Sequence, residues 1–346
     1  MNYRLIGPFL ILIGFAVAAG VDSQKNRGLY KPQLPGEHTF GDDSPVPDLA
    51  KAFEPLKEQV GISWDDEFLY IEGNSLPEHE MMTGITAWQQ QVPIPQDFTG
   101  RNAYKLPLKP TMVEKPKELE MTKGAIAIAV NGIPIFHHLT QSGRDAYEGG
   151  ELDQWGGHCG RGDDYHYHIA PFHLEEIVGK GNPVAFALDG YPIYAADPAK
   201  DKPLDECHGY FDENGQFRYV GTLEAPYIIG AYRGEVNLEQ RPPTAAVRPS
   251  MPPLRGAKIT GFSGTLAEGY RLNYEVNGSE AKIEYQVRED GGADFVYTDA
   301  DGTVREESYD RRQGGGGGGA KGKGKGGGKG KGGKEKGKGK GKGKGG

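Results

Sequence analysis

Three of the nine histidines in this 346-residue chain fall within eleven residues, in the stretch Gly156-Gly157-His158-Cys159-Gly160-Arg161-Gly162-Asp163-Asp164-Tyr165-His166-Tyr167-His168. Alternate side chains of a β-strand share a face. A strand over 165–168 therefore sends His166 and His168 to one side and Tyr165 and Tyr167 to the other. Two imidazoles on one face form half of a transition-metal site, and neutral imidazole suits Zn²⁺ or Cu²⁺. His158 sits on a Gly-rich turn that can fold back to add a third ligand. His137, His138 and His208 are candidates for a fourth. Three histidines alone leave a position open, as a catalytic site requires. Asp163 and Asp164 are candidates to orient a ligand imidazole or act as a base, and Arg161 to hold an anionic group. Asp163-Asp164 after Gly162 also reads as an ordinary turn. The competing reading of the whole cluster is a metal-free His/Tyr hydrogen-bond network in a non-catalytic extracellular module. A metal-free histidine base is a third. Whether the protein is an enzyme stays open at this level.

No phosphate-cradling glycine loop, nucleophile-elbow serine or His-Glu-x-x-His helix is present, so no nucleotide cofactor is expected. Trp88, Met81 and Met82 read as core. Met81-Met82 as a Cu(I) ligand pair is a lesser alternative.

The elements that must position these residues read as mainly β with short helices. Ala125–Val130 is an apolar strand. Asn131-Gly132 is a hairpin turn, because both residues accept positive φ, and Ile133–Phe136 is the return strand. A short helix is expected near Leu174–Val178. Residues 21–60 read as an extended arm, 61–255 as the core domain and 231–255 within it as a Pro- and Arg-rich linker. Residues 256–312 read as a small antiparallel β unit, with turns at Asn277-Gly278 and Asp301-Gly302.

The core contains two related halves. Asn131-Gly132-Ile133-Pro134-Ile135-Phe136 matches Asp189-Gly190-Tyr191-Pro192-Ile193-Tyr194. Gly157-His158 and Tyr165-His166-Tyr167-His168 match Gly209-Tyr210 and Phe217-Arg218-Tyr219-Val220. Tyr210, Arg218 and Val220 thus replace His158, His166 and His168. A metal site must then be built mainly from the first half. The expected architecture is an internally duplicated hairpin core followed by the small β unit.

Residues 1–20 have the layout of a secretory signal, with Arg4, an apolar run Leu5–Val17, then Ala18, Ala19 and Gly20; cleavage is the favoured reading and an uncleaved N-terminal anchor the competing one. The expected location is secreted, periplasmic or cell envelope, with no transmembrane span in the mature chain. An oxidising compartment favours a Cys159–Cys207 disulfide, the alternative being Cys159 as a thiolate ligand. The formal net charge of −8 hides an asymmetry. Residues 321–346 hold 11 Lys and one Glu, whereas residues 21–320 hold 28 Lys+Arg against 47 Asp+Glu. Such an acidic body disfavours specific nucleic-acid binding. The Gly/Lys tail, 313–346, reads as disordered and able to contact anionic surface polymers.

Taken together, Asn131–Phe136, Gly156–Gly160, Tyr165–His168, Leu188–Tyr194, Leu204–Cys207 and Ala225–Tyr227 resemble the YHYH-domain family. The resemblance spans about residues 60–310. It implies a secreted bacterial-type domain and carries no established activity with it. Family members often have a second Tyr-His-Tyr-His copy where this chain has Phe217-Arg218-Tyr219-Val220.

Overall fold

The computed structural model describes residues 33–120, 124–195, 202–244 and 246–311. The signal-like segment 1–20 and the Gly/Lys tail lie outside the described residues. Short strands dominate, as expected for a chain rich in Gly, Pro and aromatic residues with no long helical period. A four-stranded sheet runs β1 (His38–Thr39), β2 (Gly61–Trp64), β3 (Phe68–Glu72) and β4 (Tyr104–Pro107). β5 (Met112–Glu118) pairs with a distant strand, β14 (Ala231–Gly234). Within the segment expected to be an extended arm, helix α1 (Asp48–Lys51) and a following turn bury Ala50, Phe53, Leu56 and Val60. These residues join the core, and Phe53 stacks on Phe186 at 5.5 Å.

The central eight-stranded sheet has the order β12-β13-β11-β10-β6-β7-β9-β8. Its first half is β6 (Ala127–Ala129), β7 (Pro134–Ile135), β8 (Gly157–Cys159) and β9 (Tyr165–Tyr167); its second is β10 (Pro183–Ala187), β11 (Pro192–Tyr194), β12 (Gly209–Phe211) and β13 (Phe217–Val220). The same pairings recur in each half. β6–β7 and β10–β11 are antiparallel, β7–β9 and β11–β13 parallel, β8–β9 and β12–β13 antiparallel. The registers correspond as well. Ile135 pairs with Tyr167 as Ile193 does with Tyr219, and His158 pairs with His166 as Tyr210 does with Arg218.

Gly132 turns the first hairpin at φ 77°, and a Cβ there would lie 2.6 Å from Val60 Cγ1. Only glycine satisfies both constraints. The short helix α2 (Glu175–Val178) falls within the span expected for it.

A five-stranded antiparallel meander closes the molecule: β15 (Ala257–Thr265), β16 (Gly269–Val276), β17 (Ser279–Val287), β18 (Ala293–Thr298) and β19 (Val304–Tyr309). Both expected turns lie between its strands. Its buried face carries Tyr270, Tyr285, Phe295 and Tyr297, stacked in a row with centroids 5.2–5.7 Å apart. Residues 231–255, expected as a linker, instead supply β14, a short turn at Leu238–Gln240 and a wall of the cleft described below.

The disulfide expectation is corrected. Cys159 and Cys207 are both free and buried. Cys159 lies on β8 and Cys207 just before β12, the two edge strands of the sheet, with six strands between them. A disulfide requires Cα atoms within about 7 Å. Among the described residues no helix is long and apolar enough to cross a membrane.

Candidate metal centre

The β8–β9 hairpin places all three histidines of the motif. His158 and His166 are directly opposed across the antiparallel pair, so they share a face, and His168 follows two residues on. His158 is therefore a strand residue, not a turn residue. Its Nε2 lies 3.0 Å from His168 Nε2, which is 3.1 Å from His166 Nε2. Among the described residues these three form the one cluster of His, Cys, Asp or Glu side chains whose ligand atoms could share an ion, all within 4.8 Å. Ligands about 2.0–2.1 Å from a tetrahedral Zn²⁺ stand about 3.3 Å from one another, close to these spacings.

The opposite nitrogens fix the protonation. His166 Nδ1 donates to the Asp164 carbonyl at 2.9 Å, and His168 Nδ1 to the His137 carbonyl at 2.6 Å. His158 bonds to the backbone of Glu151. A carbonyl oxygen only accepts, so Nδ1 of His166 and of His168 carries the proton and Nε2 of each presents a lone pair. Burial pushes His158 and His168 well below the ordinary histidine range, and the neighbouring imidazoles add to this. Phe136 stacks on His166 at 3.8 Å and 15°, locking that ring.

The three rings line a cleft of about 900 Å³. Its other walls include Trp88, the 139–144 loop, Glu151, Arg161, Arg241 and the Pro-rich segment around Pro252.

The remaining expected site residues separate. Asp164 is buried; its Oδ1 accepts from Gly162 N at 3.0 Å, and its Oδ2 is 3.3 Å from His166 Nδ1. It lies against the His166 ring on the side away from the cluster. Asp163 does not face the cluster: it forms a buried two-point ion pair with Arg248, both contacts at 2.9 Å, and accepts from Val92 N. Arg161 lies on the cleft wall. His137 supplies its carbonyl, while its Nδ1 accepts from Leu139 N and its ring stacks on His138 at 4.6 Å. His208, at φ 68°, bonds Thr222 through Nε2 at 2.9 Å. None of His137, His138 or His208 joins the ligand cluster, which corrects the expectation of a fourth histidine. Cys159 alternates with His158 along β8 and so turns from the cluster.

On the tyrosine face of β9, Tyr165 donates to Asp153 at 2.8 Å. The Tyr167 hydroxyl donates to His79 Nε2 at 2.7 Å, accepts from Asn131 Nδ2 at 3.0 Å, and has His173 Nε2 at 3.4 Å. His79 and His173, isolated in sequence, carry no motif that could have announced this network. Arg248, in a Pro-rich run, was equally silent. In the second half, Arg218 takes the place of His166, its guanidinium 4.6 Å from the Tyr194 ring centroid and paired with Asp212. Among the described residues that half holds no comparable ligand set.

Residues 103–203 match the family model described as YHYH protein, and the chain contains a YHYH domain. The match is narrower than the resemblance read from the motifs; it covers the histidine hairpin and β11 but not β12–β19. No curated protein and no solved structure matches the chain.

Proposed function

We propose that His158, His166 and His168 hold one transition-metal ion, Zn²⁺ or Cu²⁺, and that the protein is an exported metal-dependent enzyme working in the cleft these rings line. One observation carries this reading. The three Nε2 atoms converge at 3.0–3.1 Å steps while the Nδ1 protons of His166 and His168 are committed to backbone carbonyls. Lone pairs that close repel unless a cation lies between them. Carbonyl-held imidazoles are also the usual outer support of histidine metal sites.

The open ligand position and the adjoining cleft favour turnover over a closed structural site. A bound Zn²⁺ would supply a water acidified toward pH 7 for hydrolysis. The chain's own residues supply the rest. Asp164 and the His137 carbonyl hold His166 and His168, and Phe136 stops His166 from rotating. The leader-like segment 1–20 supports export, and the Gly/Lys tail fits contact with anionic surface polymers.

The test is metal content. Protein exported with its own leader and purified without a His tag should carry close to one Zn or Cu per chain. A His166→Ala/His168→Ala variant should carry none while staying folded by circular dichroism. Metal-free wild type would sink the proposal.

A further inference from the structure

We propose that the cleft takes a substrate bearing an oxyanion group, and that Arg161 binds this group beside the metal centre. This rests on the metal reading above. Arg161 is the middle residue of Gly160-Arg161-Gly162, in the loop between β8 and β9. A Cβ on Gly160 would lie 2.7 Å from His166 Cε1, and one on Gly162 would lie 2.8 Å from Asp164 Oδ1. The loop backbone is therefore pressed against a ligand ring and the carboxylate that holds it. No larger side chain fits at either flank. Arg161 is the one basic side chain this loop presents to the cleft, where Asp164 of the same loop is held against His166, and its Cα is one 3.8 Å step from Gly160, which packs against His166.

The charges single it out further. The cleft's other arginines are committed: Arg144 to Glu151 at 2.7 Å and Arg241 to Glu120 at 3.5 Å. Arg161 has no internal hydrogen-bond or ion-pair partner among the described residues, and it is exposed. In a body with 28 Lys+Arg against 47 Asp+Glu over residues 21–320, carboxylates to pair with are in excess. The guanidinium nevertheless lines the same cleft as the three imidazoles. A divalent ion there adds two positive charges beside it. An oxyanion can place one oxygen on the open metal position and another on the guanidinium, whose planar fork fits carboxylate and phosphate oxygens.

Inorganic phosphate is the probe, titrated by calorimetry into metal-loaded full-length wild type, Arg161→Gln and Arg161→Lys. Metal content and thermal midpoint are measured on each. Arg161→Gln should keep its metal and its midpoint but bind phosphate at least about tenfold more weakly, as loss of a charge-assisted contact requires. Arg161→Lys should lose less. Full metal with phosphate affinity unchanged in Arg161→Gln would overturn this inference alone. So would equal phosphate binding by the metal-free His166→Ala/His168→Ala variant. A wild type without metal would overturn the metal reading and this inference together.

Discussion

A backbone carbonyl accepts from Nδ1 of both His166 and His168, which leaves their Nε2 lone pairs facing each other at 3.1 Å. The two faces of β9 differ in this respect. Tyr167 closes a satisfied network with His79 and Asn131, where donors and acceptors match. That network has a pH signature. Burial pushes His79 down to about 4, with the Glu80 carbonyl as a smaller opposing effect; burial and then His79 push His173 to about 3. In the unfolded chain both titrate near 6.5. Between those values the unfolded state binds more protons, so stability is fully present above about pH 6.5 and falls as pH drops toward 4. Asp153 and Asp189, raised by burial, act in the opposite sense. The readout is therefore a difference: in urea unfolding with chelator present, His79→Gln should lose less stability than wild type between pH 7 and pH 4.5. Equal losses would remove His79 from the account.

At the scale of elements, the β8–β9 hairpin depends on a residue far along the chain. Arg248 binds Asp163 at two points, donates to the Tyr297 hydroxyl at 3.2 Å and to the Gln90 carbonyl, and lies over Phe295 at 5.1 Å. It fastens the hairpin loop to the 88–94 segment and the C-terminal meander. Both ion-pair side chains are 3% exposed. Arg248→Met leaves Asp163 as an uncompensated buried charge and should cost roughly 3–5 kcal/mol in denaturant unfolding. Because Asp164 is the next residue, metal affinity should weaken as well. Adding Asp163→Asn to Arg248→Met should recover part of the stability; no recovery would mean that Arg248 acts through packing alone. The alternation of Tyr-His-Tyr-His made the common face of His166 and His168 legible, since period 2 is a local property. The role of His158 needed the cross-strand register, which depends on which strands pair.

For the whole molecule, the six strands between the cysteines remove the one covalent tie that export suggested. Both thiols are buried, and burial pushes each pKa up, Cys207 to about 11. The native protein should resist iodoacetamide at pH 8, take up two equivalents once denatured, and keep its thermal midpoint in dithiothreitol. A midpoint that falls in reductant would restore the disulfide. Stability instead comes from continuous packing of the central sheet, the N-terminal segment around Phe53 and the aromatic row of the meander.

What the sequence by itself determined was local: hairpin turns at Asn-Gly and Asp-Gly, the faces of alternating strands, the β character of residues 256–312, and a second half that lacks the same ligand set because Tyr210, Arg218 and Val220 stand where the first half has three imidazoles. Only the tertiary structure decided that His158 stands opposite His166, that Asp163 serves Arg248 rather than the cluster, that His208 bonds Thr222, and that a Pro-rich segment walls the cleft. Those outcomes come from contacts between residues far apart in the chain, 85 positions for Asp163 and Arg248 and 162 for Gln90 and Pro252. Such contacts are set by how sheets stack and which strands pair, and no local periodicity records that.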